Sequence, residues 1–105
     1  MKTEIKTTKA CLPVGTYSQA IMVDGLVFIS AQSPIDASND KVIDGDAESH
    51  IRQSFKNIFS ICDASNIEPN DIVKITAYLT SSEDFPKLNL VMNEFLKNLF
   101  QLEPH

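Results

Sequence analysis

The side chains best suited to chemistry lie between Pro13 and Pro34, in the stretch PVGTYSQAIMVDGLVFISAQSP. Tyr17 offers an apolar ring with a hydrogen-bonding tip, and Ser30 offers a hydroxyl that both donates and accepts. They can act together only if the chain brings them together, and the residues between them predict that it does. Asp24-Gly25 reads as a two-residue hairpin turn, because both residue types tolerate the positive φ such a turn requires. Tyr17 to Val23 and Leu26 to Ser30 then become antiparallel strands whose ends far from the turn carry the two hydroxyls near each other. Each group also has a plainer reading. Tyr17 would serve equally as a half-buried aromatic reaching water or a carbonyl, and Ser30 as a strand-end serine bonded to local backbone.

Other reactive residue types are less favourably placed. His50 falls in the first turns of a helix beside Asp46 and Glu48 and reads as a solvated surface residue, with no nucleophile beside it for a general base to serve. Asp44, Asp46 and Glu48 complement the helix dipole. A calcium loop would need another acidic residue, a central glycine and a distal glutamate, so no metal is expected. Cys11 and Cys62 have neither CxxC nor Cys/His ligand spacing and read as free thiols, Cys62 within an apolar stripe.

The elements that must hold these groups can be read in order. Thr3 to Thr8 alternates weakly and predicts a first edge strand, with Lys2, Lys6 and Lys9 opposing edge-to-edge aggregation. Pro13 and Gly15 mark a loop delivering Tyr17 to its strand. Ser33 to Gly45 is turn-rich and predicts a solvent loop, with Val42 and Ile43 fastening its far end. Asp46 stands at an N-cap, and Ile51, Phe55, Ile58, Phe59 and Cys62 give the helical period of a segment from Ala47 to Ala64. Asp71 to Thr80 alternates, with Val73, Ile75, Ala77 and Leu79 on one face and Lys74, Thr76, Tyr78 and Thr80 on the other, and predicts a strand. Pro86 opens a second helix whose stripe of Leu88, Met92, Phe95, Leu96 and Leu99 runs down to Phe100. The expectation is an α+β two-layer sandwich of order β-β-β-α-β-α, with both helices on one face of the sheet. A semi-polar sheet face carrying Thr76 and Tyr78 is left for another subunit.

At 105 residues the chain is read as one domain, 1–105, long enough to bury roughly 60–68% of its unfolded surface. Hydrophobic residues make up 43% and charged residues 22%, without low-complexity runs, which predicts a folded globular protein. The formal charge of −5 and the scattering of nine Lys and Arg argue against a nucleic-acid partner. No apolar run reaches the length of a membrane span, and Met1 to Ala10 has no signal-peptide core, so a cytoplasmic location is expected.

The string P-x-G-x-Y-S-Q-A followed by V-x-x-G-L-V-F-x-S-x-Q-x-P resembles the RidA (YjgF-like) family of reactive-intermediate deaminases. RQSFKNI, DIVKITAYLTS and DFPKLNLVMNEF follow in that family's order and spacing. The resemblance implies hydrolysis of 2-imino or enamine acids to 2-keto acids and ammonia, without a cofactor, in a homotrimer with pockets at the subunit clefts. It assigns Tyr17 and Ser30 to the pocket walls, places Ala31 where the motif usually has glycine, and matches Asn89 to a motif asparagine. Ala31 adds a methyl group where a glycine backbone would approach ligand closely, and Asn89 could equally bond nearby backbone.

The family chemistry calls for an arginine clamping the substrate carboxylate and a glutamate handling water. Both would fall beyond Glu103-Pro104-His105, and the sequence's arginine, Arg52, does not match the clamp. A C-terminally incomplete member is therefore expected, lacking the last strands, with its catalytic residues unassigned and activity possible but impaired. The alternatives are a trimeric module that binds a small molecule or a protein without turnover, and a ribonuclease or translation inhibitor.

Overall fold

The Asp24-Gly25 turn has the backbone its residue types predict, with φ of 51° at Asp24 and 79° at Gly25. It joins β2 (Ala20–Val23) to β3 (Leu26–Ile29), antiparallel, with Val23 opposite Leu26 and Ala20 opposite Ile29. The structure, a computed structural model, describes residues 2–10 and 18–96. β1 (Lys2–Ile5) pairs with the other edge of β2, giving the order β1-β2-β3. The first strand thus starts earlier and ends sooner than the Thr3–Thr8 alternation predicts.

Successive strand residues point to opposite faces. Ile5, Ala20, Val27 and Ile29 pack with Ala10 against Ile61 of α1 (Ala47–Ala64), forming one core cluster. Ile21 lies opposite Phe28 and Val23 opposite Leu26 on the other face, where Leu26 and Phe28 stay 57% and 60% exposed.

α1 has the limits the sequence predicts, and both ends are explained by named groups. At its start Asp46 Oδ1 accepts the Ser49 N–H at 2.9 Å, satisfying one of the backbone donors left over in a first turn. At its end Asn66 takes φ of 59°, while Asn66 N–H donates to Asp63 and Ile67 N–H to Cys62. This pair of bonds is a Schellman motif, with asparagine in the left-handed position.

α2 (Phe85–Phe95) packs on α1 in a second cluster, where Phe55, Leu88, Val91 and Leu96 are buried and Ile51, Phe59, Met92 and Phe95 lie against them. The Phe55 and Phe95 rings stack with centroids 5.5 Å apart. Val91, absent from the predicted stripe, is fully buried. Leu99 and Phe100 lie outside the described residues.

Two segments differ from expectation. Residues 72–79 follow a 3₁₀ turn at Pro69–Asp71 and join no ladder among the described residues. Ile72, Ile75 and Leu79 face the Phe55 cluster, whereas Val73 and Tyr78 are 86% and 91% exposed. The inward residues are spaced by three and four, so the helix surface they meet, and not a pleat, sets which side chains turn inward. Conversely, the expected solvent loop contains a short antiparallel pair, β4 (Ile35–Asp36) and β5 (Lys41–Val42), with Ile35 opposite Val42. Its turn is tied by Asp36 Oδ1, which accepts from Ser38 N–H at 2.8 Å and Ser38 Oγ at 2.7 Å. The architecture is α+β, as the sequence predicts, with two helices and with β4–β5 forming a small sheet apart from β1-β2-β3. Among the described residues no helix is long and apolar enough to cross a membrane.

Candidate functional site

Ser30 follows the last residue of β3, and the hairpin's backbone pairing continues to it through Ser30 N–H donating to Gln19 O at 2.9 Å. Its Oγ donates to Ser18 O at 2.6 Å. With that proton committed, the serine oxygen keeps lone pairs that can accept from an N–H or O–H group. Ser30 is half-buried, and its partner Ser18 directly follows Tyr17 in sequence. Tyr17 itself lies outside the described residues.

Ala31 is exposed and continues the same strip, and Gln32 Nε2 donates back to Ser30 O at 3.2 Å. Asn89 is exposed on α2, between the buried Leu88 and the core-facing Val91. It sits on the helix of the Phe55 cluster, whereas Ser30 ends a strand of the Ile61 cluster. The structure therefore keeps Ser30 and Ala31 on one strip, and no hydrogen bond among the described residues links Asn89 to them.

Two buried amides that sequence reasoning does not single out brace the backbone around this strip. Gln19, 1% exposed, accepts the Thr7 N–H through Oε1 at 2.7 Å and donates Nε2 to Thr7 O at 3.0 Å and Ala10 O at 3.3 Å. Asn57, also 1% exposed, donates Nδ2 to Ser33 O at 3.2 Å and Ile35 O at 2.9 Å. A signal for the second was available: Gln53, Asn57, Ile61 and Ser65 recur every four residues and so share one edge of α1. The last three are buried, and Ser65 Oγ donates to Ile61 O.

The remaining reactive groups have structural partners. His50 is half-buried rather than solvated, because its Nε2 lies 2.8 Å from Ile43 O and fastens the end of the β4–β5 pair to α1. Arg52 is gripped by Glu94 of α2, Nε to Oε2 at 3.0 Å and a terminal nitrogen to Oε1 at 2.7 Å, with Glu48 at 3.3 Å. Cys62 is a buried free thiol. Burial, then the nearby Asp71 charge, pushes its pKa up, which opposes thiolate formation. Cys11 lies outside the described residues. Among the described residues no group of three or more His, Cys, Asp or Glu could hold a metal ion.

The model of the family described as Endoribonuclease L-PSP matches residues 7–104. The chain belongs to the RidA (YjgF-like) family. A RutC family protein of Aquifex aeolicus is 41% identical over 96 residues, covering 91% of this chain and 76% of the relative. A mouse protein named 2-iminobutanoate/2-iminopropanoate deaminase is 36% identical over 97 residues, covering 92% and 69%. Among solved structures, RidA from an Antarctic Psychrobacter superposes with a TM-score of 0.85 at 39% identity, covering 90% of this chain and 76% of that one. Escherichia coli TdcF, solved with bound serine, gives 0.86 at 28% identity, covering 97% and 80%. The matched range includes both the strip that begins at Ser30 and the α1 segment that carries Asn57.

Proposed function

We propose that this protein hydrolyses 2-imino and enamine acids to 2-keto acids and ammonia, as a RidA-type deaminase acting without a cofactor. The observation that carries the reading is family membership together with a relative bearing the deaminase name at 36% identity. In the reaction, water adds its oxygen to the imine carbon and a proton reaches the nitrogen. The resulting carbinolamine then breaks its C–N bond as its hydroxyl proton passes to the departing nitrogen, releasing ammonia and leaving the ketone. Ser30 suits the nitrogen side of that change, since its hydroxyl proton is held by Ser18 and its lone pairs can accept an N–H. The family resemblance assigns Tyr17 to a pocket wall, and Ala31 is exposed on the strip. Arg52, held between Glu94 and Glu48, is not the substrate clamp.

In this reading three copies assemble through their uncovered sheet faces, a proposal supported by the exposed Leu26 and Phe28 on that face. Coupling a pyridoxal-phosphate threonine dehydratase to the purified protein tests the activity. Faster formation of 2-ketobutanoate and ammonia than with the dehydratase alone is expected, and an unchanged rate would overturn the reading.

A second reading, binding without turnover, is favoured by the relative solved with bound serine. Saturable binding of 2-ketobutanoate without faster imine hydrolysis would select it. The nuclease description of the family is disfavoured here by the −5 charge, and intact RNA after incubation with pure protein would close that question.

A further inference from the structure

We propose that Asn57, supported by Gln53, is a positioning residue that holds the strip from Ser30 to Ile35 in its ligand-facing conformation. The ligand-facing part of this proposal rests on the deaminase reading, and the holding part does not. The strip is fixed at its first end by Ser30, through its bonds to Ser18 and Gln19. Beyond Ala31 and Gln32 the chain turns sharply, with Ile35 N–H donating to Ser33 O at 2.7 Å. There the carbonyls of Ser33 and Ile35 both point to one side-chain nitrogen, Asn57 Nδ2.

The chemistry of that buried point demands an amide. Both Asn57 N–H groups are used on carbonyls, and its Oδ1 accepts from Gln53 Nε2 at 3.0 Å, so every polar atom of the side chain has a partner. Gln53 Nε2 also reaches Ile35 O at 3.5 Å. An aspartate of the same shape would set a carboxylate against two carbonyl oxygens and an apolar residue would orphan them, and both arrangements are unfavourable in a buried site. The hold extends further, because Pro34 O receives the Ile43 N–H at 2.9 Å and the β4–β5 pair is built on Ile35. Asn57 therefore bonds helix α1 to the backbone that follows the proposed pocket wall, while leaving Ala31 exposed.

Amide hydrogen exchange of the full chain, alongside imine hydrolysis and 2-ketobutanoate binding, tests the proposal with Asn57→Asp and, should that variant not fold, Asn57→Ala. Phe59→Leu serves as a control that loosens the other core cluster. Exchange at the Ile35 and Ile43 amides should rise about tenfold or more, with mid-α1 and α2 amides little changed. KM and the 2-ketobutanoate dissociation constant should rise by a similar factor, with no comparable change in the control. Exchange that rises equally throughout, or a strip that loosens while KM and binding match the control, would overturn the positioning role. A wild-type protein with neither binding nor turnover would instead remove the deaminase reading, and the exchange pattern would still decide whether Asn57 holds the strip.

Discussion

Arg52 on α1 and Glu94 on α2 form a two-pronged ion pair, Nε to Oε2 at 3.0 Å and a terminal nitrogen to Oε1 at 2.7 Å. Two parallel N–H···O bonds fix the rotation of both side chains, so the pair sets how the two helices align as well as attracting them. The side chains are partly exposed, which keeps the contribution small and sensitive to salt.

The pair also makes stability depend on pH. Glu94 lies below its ordinary value of 4.5, chiefly because Arg52 donates to it. A carboxylate lowered in the folded state contributes stability above its unfolded pKa and loses it as pH falls through the folded one. The wild-type melting temperature should therefore fall on acidification below about pH 4.5. Glu94→Gln should be slightly less stable at neutral pH and show a shallower acid limb, as read by melting curves across pH at low salt.

Ser30→Ala removes the Oγ bond to Ser18 and the acceptor proposed for the substrate nitrogen. An about tenfold lower kcat/KM is expected, corresponding to one net hydrogen bond. The melting temperature should change little, because the backbone bond from Ser30 to Gln19 remains. Steady-state kinetics beside thermal melts would check both statements.

Phe28→Lys places a charge in the middle of the exposed apolar sheet face. Under the proposed trimeric assembly, native mass spectra should change from trimer to monomer while the far-ultraviolet circular dichroism stays the same. A trimer that survives this substitution would remove the sheet face from the assembly.

Phe55→Ala deletes the ring that stacks on Phe95 and lies edge-on to Phe59 at 6.3 Å. A loss of about 3–5 kcal/mol is expected, a large part of a typical 5–15 kcal/mol stability. Denaturant titration should give a much lower midpoint.

Gly25→Ala would meet no atom within 4 Å, so its cost comes from φ of 79° alone. About 1–2 kcal/mol is expected, measurable in the same titration.

The parts of this fold legible in the sequence are those set by local chemistry. Asp24-Gly25 determines its own backbone angles, and Asp46 stands at the start of α1 because a short polar side chain suits an N-cap. The Asp71–Thr80 alternation does not report the spacing of three and four at which Ile72, Ile75 and Leu79 turn inward, because alternation shows only how a pleat would face. Asn57 escaped notice for a different reason. A polar residue within a helix is normally placed in solvent; its spacing of four from Ile61 marks its side of α1, but the carbonyls of Ser33 and Ile35 that meet it there are distant in sequence. Of the expected pocket residues, Ser30 was legible as a strand end. The surroundings of Asn89 depend on how α2 packs, which periodicity alone did not reveal.

The β2–β3 hairpin is apolar on both faces, with Ala20, Val27 and Ile29 inward and Ile21, Val23, Leu26 and Phe28 outward. A strand with a polar side is corrected by water when it slips by one residue, since the slip exposes what should be hidden. Here a slip exchanges one greasy side for another, and solvent has almost nothing to correct. The error-checking falls to two residues, Asp24 and Gly25, whose tight reversal permits one alignment. Nascent chain that has made this turn is committed to the right pairing before α1 exists to cover it, and chain that has not made it presents the stickiest segment of the protein to its neighbours.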